Sequence, residues 1–255
     1  MIRGSTPIFC RNLSEMSRVM ESEKSEAPGQ DQDAGFVRGA FAKIADRYVL
    51  TNHVLSAGTD ILWRKKGGRL VRDWEPKKIL DVATGTGDLA LEMQKACPEA
   101  EVTGSDFCEE MLVHAKRRGV RETLVADGLA LPFEDGSFDV ATVAFGLRNM
   151  GSWDGGLKEL HRVVRPGGHV LVLDFSLPRG VFRKLYAFYL NKVLPKMAGV
   201  LTGEREAYEY LAGSIERFPS GEGMLDRFRA AGFEEVAWIP LSGGIASIYT
   251  GQVAG

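Results

Sequence analysis

The residues best suited to chemistry lie in a glycine-rich segment, ILDVATGTGD, which ends at Asp88. Gly85, Thr86 and Gly87 separate an apolar run typical of a buried strand from a run typical of a helix. Glycines at such a turn permit positive φ angles and let a ligand approach the backbone closely. The turn therefore predicts a cofactor site of a kind that dinucleotide enzymes share. A tight turn without a ligand is the alternative.

Three aspartates at predicted strand ends indicate which cofactor fits this turn. Asp81 precedes the turn, Asp106 ends the second predicted strand and Asp127 ends the third. Open α/β sheets bind ligands at the carboxyl ends of their strands. A carboxylate at position 81 would repel a pyrophosphate but attract the ammonium and sulfonium charges of S-adenosylmethionine. The set therefore favours S-adenosylmethionine over a dinucleotide.

Each acid has an expected partner and a structural alternative. Asp106 follows the glycines by about 20 residues, a spacing that suits hydrogen bonds to both ribose hydroxyls; it could instead cap the following helix. Asp127 is expected to accept from the adenine amino group, with Gly128 giving room beside the ring, and its alternative is an ordinary loop position. Asp88 is expected to cap its helix and to lie near the methionine moiety.

The elements that must position these residues alternate between strand and helix from Lys77 onward. Such alternation indicates a mostly parallel sheet. Near the end of the chain, a short turn at Gly243 and Gly244 separates two strand-like runs, so they should pair antiparallel. The predicted strands are KKILDVA, EVTGSD, ETLVAD, SFDVATVAFG, GGHVLVLDFS, FEEVAWIPL and GIASIYTGQV.

The chain is predicted to hold one folded domain after a polar extension. Residues 1–34 lack hydrophobic periodicity and have the composition of a disordered tail. Residues 35–255 form the domain: a helical cap at 35–76, a cofactor-binding half at 77–178, and substrate-side helices with the last two strands at 179–255.

Composition excludes several classes of protein. A net charge of −2 gives no basic excess for nucleic acid. Three cysteines without paired spacing argue against a disulfide framework or a metal site. No apolar run reaches the ~20 residues of a membrane span. We therefore expect a cytoplasmic protein without a metal, with peripheral contact at the cytoplasmic face of a membrane as an open alternative. The oligomeric state is left open.

Several segments resemble one family, the ubiquinone/menaquinone biosynthesis C-methyltransferases of the UbiE/MenG type. The resemblance runs from about Ala40 to Val253. FGLRN and YLAGSIERFP are more diagnostic of this family than the glycine turn is. The segments that carry it are ILDVATGTGD, ADGLALPFEDGSFDVATVAFGLRNM, LHRVVRPGGHVLVLDFSLP and AYEYLAGSIERFP.

The resemblance implies the class I S-adenosylmethionine-dependent methyltransferase fold. This is an α/β fold with a seven-stranded, mostly parallel sheet and an antiparallel last strand. The implied reaction is methylation of a ring carbon of a polyprenylated quinol, and the implied cofactor contacts are Thr86, Asp106, Asp127 and Gly128.

Three positions depart from the family pattern. Ala144 stands where a serine is frequent, Val49 replaces an aspartate, and Gly213 replaces a glutamate. The roles of those three family residues do not carry over to this chain.

Methylation of a quinol carbon needs a group that takes the phenolic proton or stabilises the oxyanion. Arg148 and Asn149 follow the fourth predicted strand, beside the expected methyl position. Arginine stays protonated, so Arg148 fits anion stabilisation or activation of a water. His53 is a candidate base and Tyr48 a candidate substrate contact. For all four residues a structural or packing role is the alternative.

The acceptor and the apolar segment Val181 to Leu201 both leave alternatives open. GGIASIYTG favours demethylmenaquinol over the methoxy-polyprenyl benzoquinol of ubiquinone synthesis as the acceptor. Three alternatives to a quinol methyltransferase remain: a methyltransferase for another small acceptor, a cofactor-binding protein without catalysis, and a nicotinamide dehydrogenase.

The apolar segment Val181 to Leu201 predicts either a lipid-facing helix or a helix packed on the sheet.

Overall fold

A seven-stranded sheet forms the core of the part of the protein that the structure describes. A computed structural model describes residues 58–178, 180–190 and 212–255 of the chain. The strands are β1 (Lys78–Val82), β2 (Glu101–Asp106), β3 (Glu122–Val125), β4 (Phe138–Ala144), β5 (Val164–Phe175), β6 (Phe233–Leu241) and β7 (Ala246–Val253). They make one sheet in the order β3-β2-β1-β4-β5-β7-β6.

Helices connect the strands in the order that the alternating pattern predicts. They are α1 (Asp60–Asp73), α2 (Asp88–Ala96), α3 (Glu109–Arg118), α4 (Trp153–Val163), α5 (Val181–Phe188) and α6 (Glu222–Ala230). Short 3-10 turns lie at Leu147–Asn149 and Ser242–Gly244. Residues 212–217 are also helical.

Strand direction divides the sheet into two parts. β1 to β5 pair in parallel, whereas β7 pairs antiparallel with both β5 and β6. The chain builds outward from β1 to β3 and then returns to place β4 on the other side of β1. A crevice forms at such a reversal, beyond the carboxyl ends of the two strands, and this is where α/β sheets bind ligands.

Alternating side chains bury both faces of the sheet. Ile79 belongs to the hydrophobic cluster that includes residues of α1 and α2. Its neighbour Leu80 belongs to the cluster that includes residues of α4 and α6. Both residues are fully buried. Since parallel strands are covered on two sides, near-continuous apolar runs such as VLVL in β5 suit this position.

The predicted fold class is confirmed, including the seven strands and the antiparallel last strand. Within the predicted cap at 35–76, the described part contains α1. The extension at 1–34 and residues 35–57 lie outside the described residues. The helix predicted from Val181 is present over Val181–Phe188. The described residues do not test the predicted domain boundaries, which stay a prediction.

Candidate functional site

Two non-glycine residues with positive φ mark the crevice between β1 and β4. Ala83 follows β1 with φ 53°, and Phe145 follows β4 with φ 58°. A side chain on Gly146 would lie 2.5 Å from the Ala83 Cβ, so the two loops are in close contact here. Left-handed backbone at residues other than glycine is unfavourable and is concentrated at functional sites. The crevice is therefore the candidate site.

The glycine turn uses its two glycines differently. Gly85 has φ 56°, and a Cβ there would meet no atom within 4 Å. Gly87 has φ 86°, and a Cβ there would lie 2.4 Å from Val120 Cγ2. Gly85 therefore leaves open space at the turn, whereas Gly87 lets the start of α2 pack against Val120.

Thr86 and Asp88 are fixed by an arginine from α3. The hydroxyl of Thr86 donates to Asp88 at 2.9 Å, and Arg118 donates both to the Thr86 carbonyl (2.9 Å) and to Asp88 (2.7 Å). Burial raises the pKa of Asp88, but the Arg118 hydrogen bond, the charges of Arg64 and Arg118 and the Thr86 hydrogen bond together outweigh burial, so the pKa is lowered. The predicted capping role of Asp88 is wrong: the N-cap of α2 is Gly87, whose left-handed backbone begins the helix one residue earlier.

Asp81 lies almost completely out of contact with solvent, with 1% of its surface exposed. Its two carboxylate oxygens accept hydrogen bonds from Thr84 (2.6 Å) and Thr142 (2.7 Å). Desolvation raises its pKa to about 6, although both hydroxyls and the charge of Arg64 oppose this shift. Asp81 thus joins β1, β4 and the turn, and it holds negative charge beneath the crevice at neutral pH.

Asp106 is the last residue of β2, as predicted, and it is buried. It accepts hydrogen bonds from the backbone N–H groups of Gly85 (2.8 Å) and Cys108 (2.9 Å). Burial raises its pKa, and these backbone hydrogen bonds oppose the shift. The N-cap of α3 is Cys108 rather than Asp106. The carboxylate therefore lies against the open glycine of the turn, at the edge of the sheet where α/β folds bind their ligands.

Asp127 lies two residues beyond the end of β3 and is exposed. Its carboxylate accepts the backbone N–H of Leu129 at 2.9 Å, which fixes a tight turn. At Gly128 a Cβ would lie 2.8 Å from Met150 Cε and 3.2 Å from Val82 Cγ1. Gly128 thus permits close packing between this turn and the loop after β4.

Arg148 is buried and forms an ion pair with Asp174 of β5 at 2.7 Å. The same nitrogen also donates to the Phe145 carbonyl at 2.7 Å, as does the Asn149 side chain at 3.2 Å. Burial raises the pKa of Asp174, and Arg148 opposes this shift. Arg148 and Asn149 together hold the strained residue Phe145, and Asn149 is the more accessible of the two.

Helix α1 brings two further side chains to the loop after β4. The Trp63 ring lies 6.3 Å from the Phe145 ring and 6.0 Å from the Phe175 ring. Its indole N–H donates to Ser242 at 2.9 Å. The Arg64 guanidinium lies over the Phe145 ring, 5.4 Å from its centre. A helix of the predicted cap therefore does contact the site.

The structure brings together Asp81, Asp106 and the turn, and it places Arg148 and Asn149 at the end of the neighbouring strand. Tyr48 and His53 lie outside the described residues. Sequence reasoning missed Thr84, Thr142, Asp174 and Arg64. The position of Asp174 was a usable signal, since it falls near the end of a predicted parallel strand as Asp81 and Asp106 do.

Two general features of the described residues bear on the site. Across 58–178, 180–190 and 212–255, no group of three or more His, Cys, Asp or Glu side chains could hold a metal ion. None of the helices in the same ranges combines the length and the hydrophobicity of a membrane span.

The residues present fit S-adenosylmethionine. Open space at Gly85 lies against the Asp106 carboxylate, which suits a ribose. Buried negative charge at Asp81 suits a cationic ligand and opposes a pyrophosphate. Thr86, Asp127 and Gly128 lie in the loops that follow β1 and β3, at the same edge of the sheet.

Comparison with known proteins also indicates a methyltransferase. Residues 28–253 match the model of the ubiE/COQ5 methyltransferase family. Demethylmenaquinone methyltransferase of Thermus thermophilus is 46% identical over 218 residues, which cover 83% of this chain and 99% of that protein. Ubiquinone/menaquinone biosynthesis C-methyltransferase UbiE of Bdellovibrio bacteriovorus is 46% identical over 226 residues, which cover 85% of this chain and 95% of that protein.

A solved structure supports the fold alone. A SAM-dependent methyltransferase of Thermotoga maritima, described as a possible histamine N-methyltransferase, superposes with a TM-score of 0.60 at 20% identity. The match covers 84% of this chain and 98% of that one. With the glycine turn, the strand-end acids and these relatives together, the chain belongs to the ubiE/COQ5 methyltransferase family.

Proposed function

We propose that this protein transfers the methyl group of S-adenosylmethionine to a ring carbon of a polyprenylated quinol, with demethylmenaquinol as the preferred acceptor. The observation that carries the proposal is the 46% identity to a demethylmenaquinone methyltransferase over 99% of that relative's length. The buried acids and the open glycine of the turn support the choice of methyl donor.

The cofactor side of the site uses residues from three strand ends. Asp106 would accept from the ribose hydroxyls, Asp127 from the adenine amino group, and Asp81 would face the ammonium and sulfonium charges. Gly85, Thr86, Gly87 and Gly128 shape the surrounding backbone. S-adenosylmethionine, when bound, supplies an electrophilic methyl group, and the protein's main task is to hold the acceptor carbon about 3–3.5 Å away in line with it.

The acceptor side is built around the loop after β4. Asn149 is half-buried and would hydrogen-bond a quinol oxygen. Arg148 lies behind it, and its charge would favour the phenolate, a better carbon nucleophile than the phenol. Because its guanidinium is already bound to Asp174 and the Phe145 carbonyl, Arg148 acts first as a positioning residue. Tyr48 and His53 stay candidates for a substrate contact and a base.

Methylation of the methoxy-polyprenyl benzoquinol of ubiquinone synthesis is the second candidate. The UbiE relative is named for both pathways and is as similar to this chain as the menaquinone enzyme is. The preference for demethylmenaquinol rests on the GGIASIYTG segment. This segment contributes β7, on the far side of β5 from β4.

The direct test supplies methyl-labelled S-adenosylmethionine with each quinol after chemical reduction. Label should enter demethylmenaquinol faster than the benzoquinol and should stay out of the oxidised quinones, because the quinone ring is a poor nucleophile. Equal or reversed rates would reassign the pathway. If neither quinol took up label while the cofactor still bound, the acceptor would have to be another molecule.

Replacement of Asp106 tests the cofactor site separately. Asp106→Ala should weaken S-adenosylmethionine binding by at least about 100-fold, because it removes two charge-assisted hydrogen bonds of about 1.5–3 kcal/mol each. Isothermal titration measures this directly. Asp226→Ala is the matched control, since that aspartate is exposed on α6 and pairs with the neighbouring Arg229. Near-normal affinity of Asp106→Ala would refute the ribose assignment.

A peripheral contact with the cytoplasmic face of a membrane is part of the proposal, since the acceptor carries an apolar tail. Phe188 of α5 has 59% of its surface exposed, and Arg183 and Lys184 on the same helix are exposed too. Phe188→Ser should reduce sedimentation with anionic vesicles. Val113→Ser, at an exposed apolar position on α3, should not. Equal sedimentation of both variants and the parent would remove α5 from this role.

A further inference from the structure

One buried cation near the site has no role in what has been described so far. Arg64 of α1 is 7% exposed. It forms an ion pair with Asp60, one turn earlier on the same helix, through a single terminal nitrogen, Nη1. Its Nε is buried, and no described residue accepts a hydrogen bond from it. A buried donor left in this state costs about 1–3 kcal/mol, so the arrangement is unfavourable for the ligand-free protein.

The surroundings of Arg64 place this donor at the crevice. The guanidinium lies over the ring of Phe145, the residue that follows β4 with a left-handed backbone. Its positive charge also acts on Asp81 in β1, where it opposes the rise in pKa that burial causes, and on Asp88 at the start of α2, where it contributes to the lowered pKa. Arg64 therefore faces the crevice from α1, beside the two acids that flank the glycine turn.

The geometry points to Arg64 as the residue that binds the carboxylate of the methionine portion of S-adenosylmethionine. This assignment rests on the proposed use of that cofactor. The edge of the guanidinium that carries Nε and Nη2 offers two parallel N–H donors, the arrangement that matches a carboxylate. Nε is already out of contact with water, and Asp60 fixes the orientation of the group through Nη1, so little entropy is lost on binding.

The assignment also accounts for the charge pattern of the site. The amino-acid end of this cofactor carries an ammonium and a carboxylate on one carbon. The carboxylate of Asp81 would attract the ammonium and repel the carboxylate. Arg64, from the opposite wall, supplies the complementary charge. The amino-acid group would thus be held between β1 and α1, which also ties α1 down over the bound cofactor.

The test compares S-adenosylmethionine with its decarboxylated analogue, which differs only in the carboxylate. The parent protein should bind S-adenosylmethionine roughly 10- to 100-fold more tightly than the analogue, the range expected for a charged hydrogen-bonded pair. Arg64→Gln should bind S-adenosylmethionine only about as tightly as the parent binds the analogue, so the preference should be lost. Arg64→Lys, which keeps the charge but loses the paired donors, should retain part of it. Arg69→Gln, on the exposed side of α1, is the control and should retain all of it.

Each outcome decides the matter. If the parent does not distinguish the two molecules, or if Arg64→Gln loses affinity for both equally, Arg64 does not bind the carboxylate. An unchanged preference together with lower turnover at saturating cofactor would assign Arg64 to the acceptor instead. These results are separable from a failure of the proposed function, which would appear as a parent protein that binds S-adenosylmethionine but methylates no quinol. Because the comparison within the parent needs no variant, poor folding of Arg64→Gln would not remove the test.

Discussion

Asp81 is the residue through which we expect cofactor binding to depend on pH. Burial raises its pKa to about 6 from an ordinary value of 3.8. Its contribution to the free energy of unfolding is therefore fully present below about pH 3.8 and is lost as the pH rises through about 6. A cationic ligand beside it reverses the preference, because the ionised form is then stabilised.

Affinity for S-adenosylmethionine should consequently fall as the pH drops below about 6, by up to about tenfold per pH unit. Isothermal titration between pH 5 and pH 8 would measure this dependence. Asp81→Asn should bind more weakly and with little dependence on pH. Thr142→Val removes a hydrogen bond that favours the ionised form, so it should shift the midpoint upward. A parent protein whose affinity is flat over this range would show that Asp81 does not face the cofactor's charges.

The ion pair between Arg148 and Asp174 makes a second residue-level prediction. Arg148→Ala should lower the free energy of unfolding by about 3–5 kcal/mol, because it leaves a fully buried carboxylate without its counter-charge. Asp174→Asn in the Arg148→Met background should recover much of the loss. Urea denaturation measures both. The exposed pair of Arg229 and Asp226 is the control, and Arg229→Ala should change stability by less than about 1 kcal/mol.

This stability effect must be separated from catalysis. Turnover of each Arg148 variant should be measured per folded molecule, under conditions where the variant is fully folded. If Arg148→Ala unfolds no more easily than Arg229→Ala, the carboxylate is not left charged in the core. Turnover equal to that of the parent would exclude Arg148 from activation of the acceptor.

The position of a residue along the chain was predictable here, but its hydrogen-bond partners were not. Asp81 and Asp106 were located from strand ends, because apolar runs bounded by turns reveal where strands stop. Thr142 is on a different strand, and its contact with Asp81 depends on the register between β1 and β4. Arg64 reaches Phe145 only because α1 packs over that loop, a tertiary contact with no local signal.

At the scale of elements, the turn between β1 and α2 is the most constrained part of the site. Gly87→Ala should destabilise the protein by more than about 2 kcal/mol, since left-handed backbone costs about 1–2 kcal/mol and overpacking about 1–3 kcal/mol. The added Cβ would lie 2.4 Å from Val120 Cγ2. Val120→Ala should relieve this overpacking. Gly87→Ala should therefore cost less stability when it is added to Val120→Ala than when it is added to the parent protein. Thermal unfolding compares the variants.

Gly85→Ala is the matched control for this experiment. Its φ of 56° carries a similar backbone penalty, but a Cβ there meets no atom within 4 Å. It should therefore cost only the backbone part, about 1–2 kcal/mol, and any further defect should appear in cofactor binding. Equal losses at Gly85 and Gly87 would show that contact with Val120 is unimportant.

Elements were predicted well where hydrophobic pattern decides them and less well at their ends. β6 matches its predicted segment, and β7 begins two residues after the predicted run does. β3 ends at Val125, so Asp127 belongs to a turn closed by its own carboxylate. The start of α2 differed for a similar reason, because a left-handed glycine replaced the expected side-chain cap.

At the scale of the whole molecule, the fold does not reveal the acceptor. A methyltransferase of Thermotoga maritima described as a possible histamine N-methyltransferase shares the architecture at 20% identity. One fold can host many chemistries through its loops. The acceptor was inferred from FGLRN and YLAGSIERFP, and part of the second segment lies outside the described residues. The sheet therefore explains the methyl donor better than it explains the quinol.

Ligand-dependent stability is a measurement on the whole molecule that separates donor classes. At 100 times its dissociation constant, S-adenosylmethionine should add about 2.7 kcal/mol to the free energy of unfolding. For a domain of this size this corresponds to a rise in melting temperature of roughly 5–10 °C. NAD at the same concentration should give no shift, because the proposed site would place its pyrophosphate beside the negative charge of Asp81. A shift with NAD as large as that with S-adenosylmethionine would reassign the turn to a dinucleotide.

The antiparallel strand β7 lies inside the sheet, between β5 and β6, although it is the last strand in the sequence. During translation, β5 must therefore leave the ribosome with one edge unpaired, and it keeps that edge until β7 has been synthesised. An exposed apolar strand edge invites pairing with other chains. A nascent chain of this protein should thus need protection from aggregation until very late in its synthesis, and a premature stop codon before Ala246 should yield insoluble product rather than a smaller working enzyme.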